Sequence, residues 1–117
     1  MFEKNLQIGY LLDFYGDVLP ERRRDIMDMY YNDDLSLAEI ADSLGITRQA
    51  VREAVKKTEA ELFFYEEKLQ LLSRFQTAQT HAQSALSLCT ALGDTIPKDL
   101  VKEIEALADV VATQTID

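Results

Sequence analysis

Leu37-Ala38-Glu39-Ile40-Ala41-Asp42-Ser43-Leu44-Gly45-Ile46-Thr47-Arg48-Gln49-Ala50-Val51-Arg52-Glu53-Ala54-Val55-Lys56-Lys57 reads as two amphipathic helices joined by a tight turn. Gly45 stands where a helix that stops abruptly needs left-handed backbone, and the first helix is expected to end near Leu44. Ala41 is small where two helices cross closely, and Ile40, Leu44, Ile46, Val51 and Val55 fall on the shared inner side. Just upstream, Ser36 and Glu39 have the S-x-x-E spacing of a capping box, with Leu35 and Ile40 placed to close a hydrophobic staple. The first helix therefore starts just after Ser36, and Thr47 caps the second. The pattern is that of a helix-turn-helix.

Outward from this stretch the reading stays helical. Upstream, residues Phe2 to Val18 put Leu11, Leu12, Phe14, Tyr15 and Val18 at helical spacing. Pro20 suits the first turn of a second helix through Tyr31, with Ile26, Met27 and Tyr30 inward, and Asn32-Asp33-Asp34 is a polar break. Downstream of Thr47 no Gly or Pro occurs until Gly93, which predicts one long rod or a rod that bends without a signal. Within it Leu71, Phe75, Ala78, Ala82, Ala85, Cys89 and Leu92 alternate spacings of four and three, the seam two helices bury against each other. Gly93-Asp94-Thr95-Ile96-Pro97 turns the chain into a last helix with Leu100, Ile104, Leu107 and Val111 on one stripe. With four Gly, two Pro and no sustained strand-like alternation, the expected fold is all-α: a three- or four-helix helix-turn-helix bundle with a long helical C-terminal extension. The head is expected over residues 1–65 and the extension over 66–117, within one compact unit.

The 117 residues carry 12 Lys+Arg against 21 Asp+Glu, a net charge of −9, and 47% of them are hydrophobic. A chain of this size hides roughly two-thirds of its unfolded surface, enough for a core without disulfides or structural metal. The lone Cys89 cannot close an internal disulfide, no apolar run approaches membrane-span length, and Met1-Phe2-Glu3-Lys4-Asn5 lacks the pattern of an export signal. The expected location is the cytoplasm, without membrane insertion. A surface this acidic is not one that holds nucleic acid everywhere, so any such contact has to come from a local basic patch.

The segment Thr47 to Lys57 is that patch, with four Lys/Arg against one Glu. Arg48, Gln49 and Arg52 stand at the start of the second helix, where a recognition helix meets base edges. Arg bonds guanine twice there, and Gln does the same with adenine. Lys56 and Lys57 are placed for phosphates, and Thr47 can donate to a phosphate beside the N-terminal amides. The alternative is a trihelical scaffold that binds protein instead. Arg22-Arg23-Arg24 could add a phosphate clamp, but beside Glu21, Asp25 and Asp28 it reads more simply as a solvated face.

Arg22-Arg23-Arg24-Asp25-Ile26-Met27-Asp28-Met29-Tyr30-Tyr31, followed by Leu35-Ser36-Leu37-Ala38-Glu39-Ile40-Ala41 and Thr47-Arg48-Gln49-Ala50-Val51, resembles region 4 of sigma factors. With Leu11-Leu12-Asp13-Phe14-Tyr15 ahead and Thr58-Glu59 to Tyr65-Glu66-Glu67-Lys68-Leu69 behind, the chain more closely resembles the YlxM family. These are small bacterial helix-turn-helix proteins encoded beside the signal recognition particle protein Ffh and its receptor FtsY. The resemblance covers roughly the first 70 residues. It implies a regulatory role in the signal recognition particle pathway, and the sigma-like motif implies nucleic-acid contact through Thr47, Arg48, Gln49, Arg52 and Lys56.

The remaining chemistry is sparse. His81 has no Cys or His at ligand spacing and reads as a half-exposed polar residue, Cys89 as a small hydrophobe in the seam, and Asn32-Asp33-Asp34 as a turn. No metal, cofactor or catalytic residue is expected, so the protein is not read as an enzyme. The seam is either filled by the last helix folding back as a hairpin or joins two copies, with Leu71, Phe75, Ala78, Ala82 and Leu92 at a homodimer interface. A dimer on duplex DNA would set its recognition helices about 34 Å apart or a multiple of that. Two functions remain. One is a regulator that binds DNA or RNA; the other is a non-catalytic adaptor that docks its acidic surface on the particle's protein, with the helix-turn-helix as scaffold only. A sigma-like transcription factor ranks behind both, for want of a promoter-melting region.

Overall fold

The capping box forms as its spacing requires. In the computed structural model, which describes residues 4–112, the Ser36 side chain accepts from the Glu39 N–H at 3.0 Å and the Glu39 carboxylate accepts from the Ser36 N–H at 2.9 Å. The described residues form six α-helices and no strand. They are α1 (Leu6–Tyr15), α2 (Glu21–Tyr31), α3 (Leu37–Leu44), α4 (Arg48–Leu69), α5 (Leu71–Leu92) and α6 (Lys98–Ala112). Two compact units divide between Gln70 and Leu71.

The first unit is built around α4. Val51, Val55, Thr58 and Leu62 recur every three or four residues along one side of it, and all four are fully buried. Ile8, Leu11 and Leu12 of α1, Ile26, Met27 and Tyr30 of α2, and Ile40 and Ala41 of α3 complete this core. Withdrawing a side chain such as Leu62 from water stabilises the fold by about 1.5–3 kcal/mol. Leu44 and Ile46, also expected inward, are half-buried.

Polar ties from the outer helices reach α4. The Tyr15 hydroxyl donates to Glu66 at 2.7 Å, the Tyr31 hydroxyl donates to Glu59, and Arg23 pairs with Glu61 at 2.8 Å. Burial and the Glu59 carboxylate together hold the Tyr31 hydroxyl well above its ordinary value, so it remains a donor.

The helix ends follow local chemistry. Asn5 caps α1 by accepting from the Gln7 N–H at 2.9 Å, so α1 begins later than Phe2, which lies outside the described residues. After Tyr15 the chain tightens into a 3-10 turn over Gly16–Val18, and Pro20 sits just before α2. The turn after α2 puts Asp34 at φ 58°, and Lys4 holds it at 2.6 Å. Gly45 closes α3 in left-handed backbone at φ 70°, ψ 33°.

The long stretch without Gly or Pro is not one rod. α4 continues past residue 65 to Leu69 and stops at Gln70, which is left-handed at φ 57°. A side chain there costs about 1–2 kcal/mol that glycine avoids, and because the chain carries Gln70 in place of glycine, no residue marks the terminus in the sequence.

The second unit is a helical hairpin. Gly93, at φ +60°, opens a 3-10 turn over Gly93–Thr95, and α6 returns along α5. Ala82, Ala108 and Val111 form its buried centre, with Phe75 and Leu86 packed against it, and the Gln79 side-chain amide donates to the Val111 carbonyl at 3.1 Å. Cys89 is buried as a free thiol, whereas His81 is exposed.

The expected stripe on α6 needs correction. Ile104 and Val111 do face α5, but their companions are Val101 and Ala108, while Leu100 and Leu107 are half exposed. Both stripes share the spacing of three and four. The hairpin turns α6 so that small Ala108 meets small Ala82, which lets the two backbones approach.

Candidate nucleic-acid interface

The second helix of the motif presents its basic side chains to solvent. Thr47, Arg48, Gln49, Arg52, Lys56 and Lys57 are all exposed, while Val51, Val55 and Thr58 anchor the opposite side of the same turns. The alternation comes from the helical period alone: Arg48, Arg52 and Lys56 stand four residues apart, about 6 Å of rise each. An α-helix with such a row fits the major groove of duplex DNA, which is about 12 Å wide.

Thr47 has a double role available to it. Its hydroxyl oxygen accepts from the Ala50 N–H at 3.0 Å, which fixes the start of α4, and the hydroxyl proton is still able to donate outward. The side-chain amide of Gln49 donates to Glu53 at 3.2 Å along the helix, so reading a base requires it to exchange that bond.

Between α3 and α4 the surface is concave. One depression is lined by Leu37, Arg48, Gln49 and Arg52, and a second runs from Arg48 past Glu39 to Lys4 and Tyr30. Leu37 and Glu39 were not among the expected contact residues. Glu39 signals a cap by its spacing, and nothing in the spacing shows that it also borders Arg48. Its carboxylate is held below the usual range by the Ser36 N–H and hydroxyl, so it stays negative beside the basic row.

The arginine run of α2 divides. Arg23 is taken by Glu61 and lies 3.4 Å from the Thr58 hydroxyl, and Arg24 bonds Asp17 at 2.7 Å. The Nε of Arg24 lies 3.4 Å from the Asp28 carboxylate, an ion pair without hydrogen-bond alignment. The guanidinium also covers buried Gly16, where an added Cβ would come within 2.8 Å of it. Arg22 is exposed. Two of the three cations thus hold the head together. Glu61 stands far off in sequence and Asp17 across a turn, which a charge count cannot reveal.

The five residues expected at a copy-to-copy seam separate as well. Ala82 is buried against α6 of the same chain and Phe75 packs beside it, whereas Leu71, Ala78 and Leu92 are exposed. No helix among the described residues is long and apolar enough to cross a membrane.

Comparison with known proteins agrees with this geometry. Residues 2–105 match a family model described as "UPF0122: Putative helix-turn-helix protein, YlxM / p13 like". The chain is 42% identical over 107 residues to a UPF0122 protein of Shouchella clausii (strain KSM-K16), covering 84% of this chain and 98% of that relative. It is 51% identical over 79 residues to UPF0122 proteins of Bacillus cereus (strain AH187) and Bacillus anthracis (strain A0248), covering 68% of this chain and 72% of each. A family model that spans nearly the whole chain, on a head with the capped α3, the left-handed Gly45 and the capped α4, settles the classification: the chain belongs to the UPF0122 family of YlxM/p13-like helix-turn-helix proteins.

Proposed function

We propose that the head is a nucleic-acid-binding module and that the protein is a cytoplasmic regulator acting by occupancy, with no bond made or broken. One observation carries this reading: in a chain of net charge −9, the four cations Arg48, Arg52, Lys56 and Lys57 stand exposed on the outer side of the second helix of the motif. Arg48, Gln49 and Arg52 are assigned to base edges, and Thr47, Lys56 and Lys57 to phosphates. The resemblance to YlxM proteins supports a place in the signal recognition particle pathway, with the particle's RNA among the nucleic acids to be tried.

The acidic surface favours a second reading, in which the protein docks on a basic partner such as the particle's protein and the helix-turn-helix is scaffold. Titrating the protein against duplex DNA, the particle's RNA and the particle's protein separates the two. Binding to either nucleic acid that weakens with salt and with Arg48→Ala plus Arg52→Ala supports the first reading. Binding to the protein alone, insensitive to nuclease and to both substitutions, overturns it.

A further inference from the structure

We infer that the α5–α6 hairpin pairs with a second copy of this chain through one exposed leucine face. The face follows from the correction to α6. The buried side of α5 runs through Phe75, Gln79, Ala82, Leu86 and Cys89, and that of α6 through Val101, Ile104, Ala108 and Val111. In two antiparallel helices, residues one position before each buried stripe fall on the same side of the pair. On α5 these are Arg74, Ala78, His81, Ala85 and Leu88, and Leu92 continues their row; on α6 they are Leu100, Glu103, Leu107 and Val110. The four leucines are 64%, 52%, 49% and 52% exposed in chain order.

Their size fits the occupant. Four half-exposed leucines present roughly 400 Å² of apolar surface, within the range that marks interaction sites. Ala78 and Ala85 fill in between them. A standard interface takes about 800 Å² from each partner, somewhat over half of it apolar, which is close to what this face supplies.

The local placement of charge on this face suits self-pairing. By the same rule of position, Arg74 lies on this side at the open end of the hairpin, and Glu103 lies nearer the Gly93 turn, where Asp94 is also exposed. A two-fold axis that lays one hairpin antiparallel on another brings each Arg74 towards the partner's carboxylates, with leucine against leucine between them. This face shares Ala78 and Leu92 with the seam expected from sequence. It differs in using Leu88, Leu100 and Leu107 and in leaving Ala82 and Phe75 to the hairpin's own core. The pairing does not depend on whether the head binds nucleic acid.

Sedimentation equilibrium of the full chain tests it. The wild type is expected at twice its 13.3 kDa. Leu100→Glu plus Leu107→Glu should weaken self-association by about a hundredfold or more and yield the single chain with its helical signal retained, since neither side chain enters the core. Leu88→Glu plus Leu92→Glu should do the same from the other helix. Arg74→Glu should weaken pairing, and Arg74→Glu with Glu103→Arg should restore it. A wild type that stays a single chain at high micromolar concentration overturns the inference, as does a pair that survives both leucine double variants. Should one leucine pair unfold the chain, the other pair and the charge exchange decide.

Discussion

Replacing Lys56 and Lys57 together by alanine should flatten the salt dependence of nucleic-acid binding without disturbing the fold. Both side chains are exposed on the third turn of α4, between buried Val55 and Thr58, and alanine is a better helix former than lysine. A lysine that neutralises one phosphate of duplex DNA contributes about 0.9 to the slope of log affinity against log salt. Loss of both therefore reduces the slope by about 1.8. As salt rises fourfold, from about 50 to about 200 mM, the wild type should lose about twelvefold more affinity than the variant. Fluorescence anisotropy on a labelled duplex of arbitrary sequence, repeated across this range, measures both slopes. The effect should be independent of sequence, because phosphates are alike everywhere. Parallel slopes for the two proteins would refute the assignment of these lysines to the backbone of the nucleic acid.

Two further outcomes bear on the turn and the cap. Gly45→Ala meets no atom within 4 Å, so its cost is conformational alone; holding alanine at φ +70° should destabilise the head by about 1 kcal/mol, and an unchanged denaturation midpoint would contradict this. The carboxylate of Glu39 lies below its ordinary value of 4.5 in the folded state, so its stabilisation is complete above pH 4.5 and is lost as pH falls through the folded value. Glu39→Gln should thus lose less melting temperature than the wild type between about pH 5 and about pH 3, and equal losses would show that the cap does not couple to pH.

What the residues disclose in advance is the local grammar. Ser36 and Glu39, Gly45 and Thr47 each act through backbone groups within a few positions, so a single stretch contains the whole interaction. The outward set from Thr47 to Lys57 follows from the same period that hides Val51 and Val55. What stayed hidden depends on distant partners. Gln70 adopts a conformation its side chain does not favour, so no local residue announces the break. The turn of α6 about its axis rests on Ala82 meeting Ala108 across the hairpin, and sequence spacing allows the neighbouring stripe equally well. Arg23 and Arg24 resemble Arg22 until Glu61 and Asp17 are placed beside them.

The central helix of the head has two lives. Val51, Val55, Thr58 and Leu62 make it the girder on which the other three helices rest, and the residues interleaved with them form its public side. If the head binds nucleic acid as proposed, a lineage can rewrite the outward letters one at a time, changing what is recognised while the girder keeps its shape. Inward changes have no such freedom, because they alter the core that α4 shares with the other three helices. Diversification of specificity among proteins built this way should accumulate on alternating positions of one helix, at almost no cost to folding.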